Sequence, residues 1–249
     1  MRPTGPTPDL TRAGGPGPAA AGPARGPSRR GPTAAELARG PWLRLVTAEM
    51  SYEDDAALLD ARERRRAAAL RRPADRALYV AVHAELRRVL GGLLGMAPGA
   101  VELVRLECPG CGGPHGRPAV AGGAVHFSLA HGDGLALLGL ASAPVGVDVE
   151  RVPAAQVAAD ASGALHPAER TELARLPEHS RPAAFARCWT RKEAYLKATG
   201  EGLSGTALHD RHLSCGPCPA PVPGWTLTDV PVPGGWAAAC AVRGPVGAP

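Results

Sequence analysis

A chain of 249 residues with 45% hydrophobic and 20% charged side chains has room for one substantial core or two small domains, and the balance of a soluble globular protein. Its net charge of +5 points weakly to nucleic acid, but residues 1–40 carry six arginines against Asp9 and Glu36, so the body is near neutral and few aromatics are present to stack bases. The longest apolar run, 135–147, is too short to span a membrane and is broken by Pro144; the N-terminus lacks the apolar stretch of a secretory signal, and six cysteines are too few for a disulfide scaffold of this size. The expectation is a cytoplasmic protein that binds neither nucleic acid nor membrane.

Residues 1–40 hold eight prolines and eight glycines with almost no large apolar side chains, and read as a disordered tail. The body starts near Trp42. A basic helix over 61–72 precedes a second helix over 74–95, where Leu78, Val82, Leu86, Val89 and Leu93 recur at helical spacing before Gly95 and Pro98 stop it. The alternation of 101–107 reads as a strand, followed by a Gly/Pro-rich loop over 108–123. Three short strands, 124–130, 135–141 and 145–150, are separated by turn residues and read as an antiparallel meander. A helical stretch over 154–176, restarted at His166-Pro167, leads to a helix over 182–199 ended by Gly200. Weak strands follow at 207–215, around Trp225 and around Trp236. The order is that of an α+β protein.

Two stretches carry chemistry. In VGVDVE, Asp148 and Glu150 share one strand face while Val147 and Val149 take the other. Two carboxylates on one face suit a hard divalent cation, but acidic pairs are also common at solvated strand ends, which is the plainer reading of this pair alone. In CWTRKEAYLKATGEGL, Lys192 and Lys197 are the only lysines of the chain; the other 26 of 28 basic residues are arginine, as GC-rich codon choice favours. On a helix, Lys192 falls within the apolar stripe of Phe185, Cys188, Trp189 and Leu196, and Glu193 and Lys197 lie at i and i+4 on its edge. Lys192 there is either a snorkelling side chain or one kept for phosphate or proton chemistry.

VGVDVE followed by WTRKEAYLKATGEGL, with GRP and FSLAH upstream, resembles the signature of the 4′-phosphopantetheinyl transferases, in spacing the larger surfactin-synthetase-activating class. The resemblance implies two similar α+β halves, 41–144 and 145–243, in a pseudo-twofold arrangement around a cleft, flanked by the tail and a flexible end at 244–249. It implies transfer of the phosphopantetheine arm of coenzyme A to a serine of an acyl, polyketide or peptidyl carrier protein by a monomer. By the same resemblance Asp148, Glu150 and Glu193 are Mg²⁺ ligands, Glu193 takes the serine proton, and Lys197 neutralises the leaving phosphate. Lys192 meets a phosphate or holds the carboxylates. Arg117 grips coenzyme A, His131 lies by its 3′-phosphate, and Arg64, Arg66 and Arg76 reach the nucleotide phosphates. Ala130 departs from the family's pattern, which has serine before the histidine, so one phosphate contact is expected to be missing.

The rival reading is a zinc-stapled binding protein. Cys108 and Cys111 form one C-x-x-C pair and Cys215 and Cys218 another, and four thiolates close a structural zinc site, although the pairs are about a hundred residues apart, wider than zinc-ribbon spacing.

Overall fold

The computed structural model describes residues 30–51, 53–114, 116–123, 125–201 and 207–244. The expected tail up to residue 29 and the chain end at 245–249 lie outside the described residues. The last part of the segment read as tail is helical: α1 (Ala34–Arg39) opens on a capping box in which Thr33 and Glu36 satisfy each other's backbone N–H. Leu37 of this helix is buried against Leu86, Val89 and Leu90. A single turn-and-a-half of helix needs only one apolar anchor, too little for composition to register.

The first half pairs β1 (Trp42–Thr47) with β5 (Leu135–Ala141) and β5 with β4 (His126–Gly132), all antiparallel. Two short helices, α2 (Asp55–Leu58) and α3 (Ala61–Ala68), lead into α4 (Pro73–Leu94). Pro73 opens α4 where a missing N–H is harmless, and Gly95 closes it in the left-handed region at φ 68°. Its Leu78 and Val82 pack with Val46 and Ala136, and its Leu86, Val89 and Leu90 with Phe127, Leu138 and Leu140. The strand expected over 101–107 is shorter, β2 (Leu103–Arg105), and its antiparallel partner β3 (Pro118–Val120) lies inside the region read as loop.

The meander is corrected at its third strand. β6 (Val145–Arg151) leaves the first sheet and pairs with β8 (Trp236–Arg243), which pairs in turn with β7 (Trp225–Asp229). β6 still faces β4 and β5, but through packing and one side chain: the Val147 N–H donates to Ser128 Oγ at 3.1 Å. Val145, Val147 and Val149 share an apolar cluster with Ala130, Leu135 and Leu137. Between the strands of this second sheet run α5 (Ala155–Ala161), α6 (Pro167–Arg175), α7 (Arg181–Thr199) and α8 (Ala207–Asp210). The strand expected over 207–215 is instead α8 and an extended segment. Its backbone donors go to carboxylates rather than to a ladder: Leu213 N–H to Glu169 at 2.7 Å and Cys215 N–H to Glu172 at 2.6 Å. The same strand order, first–last–middle, recurs in both three-stranded sheets, β1-β5-β4 and β6-β8-β7, each with one long helix packed on its first and last strands.

A charge network fastens α3 to α4. Glu63 completes a capping box with Asp60, accepts Arg87 Nε at 2.7 Å and bonds His83 Nδ1 at 3.0 Å, while Arg87 also reaches the Val101 carbonyl at 3.0 Å. Burial opposes the Glu63 charge, but the bonds from His83, the Asp60 backbone and Arg87 prevail and hold its pKa at about 2, against 4.5 ordinarily. A carboxyl depressed on folding stabilises above its unfolded pKa, and that stability is lost as pH falls toward 2. Between pH 5.5 and pH 3 the wild type is expected to lose about 2 kcal/mol more than Glu63→Gln, measured by urea unfolding of both. Parallel losses in the two proteins would refute the assignment.

Candidate active site

The site forms where α7 lies on β6. Gly146 makes the contact possible, since a Cβ there would stand 2.0 Å from the Ala194 carbonyl oxygen and 2.4 Å from the Ala198 nitrogen. Strand alternation then turns Asp148 and Glu150 to the same face as Gly146, toward α7. From α7, Lys197 Nζ reaches Asp148 Oδ1 at 2.6 Å. Asp148 is only 2% exposed, and its Oδ2 is a buried oxygen without a hydrogen-bond partner among the described residues.

Glu150 and Glu193 complete an acidic group. Burial, first, and the negative charge of Asp148, second, push both of their pKa values up to about 7, with Lys197 opposing. Burial also raises Asp148, and Lys197 offsets part of it. Three carboxylates therefore share one ammonium, and the group is short of positive charge.

Lys197 also lines a cleft of about 1090 Å³. Arg62, Arg66, Tyr79 and His83 contribute from α3 and α4, Arg105 and Arg117 from the β2–β3 hairpin, and His131 from β4. Leu196, Lys197, Gly200 and Glu201 form the wall from the second half. Arg117 ties the walls together by donating to the Ala198 carbonyl at 3.3 Å. Burial, then the nearby His83, Lys197 and Arg66, lower the pKa of His131. Next to His131, a Cβ on Gly132 would lie 3.6 Å from Glu150 Oε2, so the cationic cleft and the acidic group adjoin at two points. A cleft of this size has room for a large small molecule, and its cations suit negative charge.

Residues 144–232 match the family model of the 4′-phosphopantetheinyl transferase superfamily. The 4′-phosphopantetheinyl transferase HetI of Nostoc sp. is 33% identical over 202 residues, 79% of this chain and 83% of its own length. The chain belongs to the 4′-phosphopantetheinyl transferase superfamily. The 4′-phosphopantetheinyl transferases gsp of Aneurinibacillus migulanus and psf-1 of Bacillus pumilus are 32% and 33% identical over 79 residues, about a third of each chain.

In this transferase the two lysines part company. Lys192, 2% exposed, turns away from the cleft: its ammonium donates to the carbonyls of Leu208 and Arg211 and pairs with Glu169, itself fully buried, at 2.8 Å. All three of its N–H groups are used, so the expected contact with phosphate or with the acidic group is corrected to a structural one. Arg191 beside it binds Asp229 through two nitrogens at 2.6 and 2.7 Å and reaches the carbonyls of Ser214, Gly216 and Pro217. The two together hold the segment after α8.

Of the three arginines expected to reach phosphates, Arg66 lines the cleft, whereas Arg64 bonds the Leu59 carbonyl at 2.6 Å, Arg76 bonds the Leu70 carbonyl at 3.0 Å, and neither lines the cleft. Arg62, four residues before Arg66 and so on the same helix face, was the signal missed. Tyr79, His83 and Arg105 were missed as well, because only folding brings their elements to one cavity. Ala130 is buried in the apolar cluster shared by the two sheets, one residue before the cleft-lining His131.

Cys108 and Cys111 line the cleft, while Cys215 is buried in one cluster with Cys188 of α7 and Cys218 is exposed. The Cys215 thiol is hydrogen-bonded to the Glu169 carbonyl at 3.6 Å. The four thiols are not gathered, and among the described residues no three His, Cys, Asp or Glu side chains stand close enough to enclose a metal ion by themselves. The acidic group nonetheless suits Mg²⁺, which keeps water and substrate oxygens as ligands and needs only one or two carboxylates. Its donors are hard oxygens, and Asp148 Oδ2 is buried and unpartnered.

Proposed function

We propose that this protein transfers the 4′-phosphopantetheine arm of coenzyme A to a serine of an acyl, polyketide or peptidyl carrier protein and releases adenosine 3′,5′-bisphosphate. The observation that carries the reading is the Lys197–Asp148 contact, which joins a cleft rich in cations to a group of three carboxylates. Arg66, Arg117 and His131 bind the phosphates of coenzyme A, with Arg62 and Arg105 extending the same field. Asp148, Glu150 and Glu193 would hold a Mg²⁺ ion together with water and substrate oxygens, and the ion would supply positive charge to the pyrophosphate. Glu193, whose pKa burial and then the charge of Asp148 push up to about 7, takes the proton of the serine hydroxyl directly or through a water. The serine oxygen bonds to the β-phosphorus as the link to adenosine bisphosphate breaks, and Lys197 neutralises the departing phosphate.

The recurrence of strand order supports a pseudo-twofold relation between the halves, as in the larger class of the family. Both walls of the cleft come from one chain, which supports action as a monomer, and cysteine usage supports a cytoplasmic setting. The test is the mass of apo carrier proteins of the three types after incubation with the protein, coenzyme A and Mg²⁺. One phosphopantetheine gained, and none with chelator, is the expected result; no gain on any carrier would sink the reading.

A further inference from the structure

The C-x-x-C pair on the cleft wall has no part in the transfer chemistry. Cys108, Pro109, Gly110 and Cys111 form the tip between β2 and β3, closed by Cys108 N–H to the Gly113 carbonyl at 2.8 Å and Gly112 N–H to the Cys108 carbonyl at 2.7 Å. Cys108 and Cys111 stand three residues apart in this one tight turn, and both line the cleft. The tip lies beside the machinery: a Cβ on Gly200, the left-handed cap of α7, would lie 3.8 Å from both the Pro109 ring and Arg117 Cδ. Gly200 ends the helix that carries Glu193 and Lys197. On the other side the tip continues into the hairpin, where Leu106 N–H bonds the Arg117 carbonyl at 3.0 Å.

We propose that Cys108 and Cys111 are a reversible oxidation site that sets the affinity of the cleft for its nucleotide substrate. Cys108 is the attacking sulfur: its backbone closes the turn, and the N–H groups of Gly110 and then Cys111 lower its thiol pKa, with burial opposing and the Cys111 side chain adding least. The Cys108 thiolate attacks a low-molecular-weight disulfide, forming a mixed disulfide and expelling one thiolate. Cys111 loses its proton and displaces the second, so two protein thiols and one disulfide become one protein disulfide and two small thiols. A disulfide requires its own dihedral geometry, and the tip must re-form around it. Pro109 then shifts against Gly200 and Arg117 loses its seat between the walls.

This inference rests on the cleft binding coenzyme A, so the experiment reads the two separately. Full-length protein is treated with glutathione disulfide, mapped by peptide mass, and titrated with coenzyme A by calorimetry before and after, beside Cys108→Ser/Cys111→Ser. Expected are a Cys108–Cys111 linkage, a rise of about tenfold in the coenzyme A dissociation constant, reversal by dithiothreitol, and no change on treatment of the double variant. Linkage elsewhere, stable mixed disulfides only, or a 108–111 linkage with unchanged affinity would each overturn it. Failure of the reduced protein to bind coenzyme A would count instead against the proposed function.

Discussion

Asp148→Asn is expected to abolish transfer while leaving the fold intact. The substitution keeps the shape of a side chain that is 2% exposed and removes the charge at the centre of the acidic group. Asp148 is costly as it stands: burial raises its pKa, only Oδ1 is compensated by Lys197, and Oδ2 has no partner among the described residues. A protein retains such a carboxylate against its desolvation cost where a cation completes it. Loss of about a hundredfold or more in rate is expected, with an unchanged or higher Tm. The checks are the carrier mass assay and thermal unfolding on the same preparation. Full activity in Asp148→Asn would remove Asp148 from the chemistry, and a collapse of Tm would make its role structural.

Lys192→Met is expected to do the reverse. Removing the ammonium leaves Glu169, fully buried, without its ion pair, and frees the carbonyls of Leu208 and Arg211. Breaking a buried pair from one side costs about 3–5 kcal/mol, which for a chain of this size lowers Tm by about 10 °C. Coenzyme A affinity, titrated well below the new Tm, is expected to stay within about twofold, because Lys192 does not line the cleft. A variant with unchanged Tm and weakened coenzyme A binding would restore Lys192 to the phosphate site.

The two lysines show how motif and geometry divide the information. Five residues on a helix amount to about 140° of rotation, so Lys192 and Lys197 cannot serve one ligand from the same face. That was legible from spacing. Family resemblance drew both toward phosphate, and the apolar stripe around Lys192 was the better guide. The thiols teach a similar lesson. The two C-x-x-C pairs look alike in the sequence, yet one tip lines the cleft and the other pair begins in a buried cluster with Cys188 of α7.

By itself the sequence determined whatever has a local period. Asp148 and Glu150 share a face because strands alternate, and Glu193 and Lys197 share one because helices turn every 3.6 residues. The long helices, their glycine caps and the α+β class follow from the same rules. Tertiary structure alone decided which strands pair. β6 could continue the meander by turn chemistry, but its valines pack across the first sheet while β8 supplies its ladder. Tertiary structure likewise decided what fastens the segment after α8, whose donors meet carboxylates some forty residues distant in sequence. It also decided which arginines reach the cleft. Those outcomes depend on contacts between residues far apart in sequence, and no local pattern encodes them.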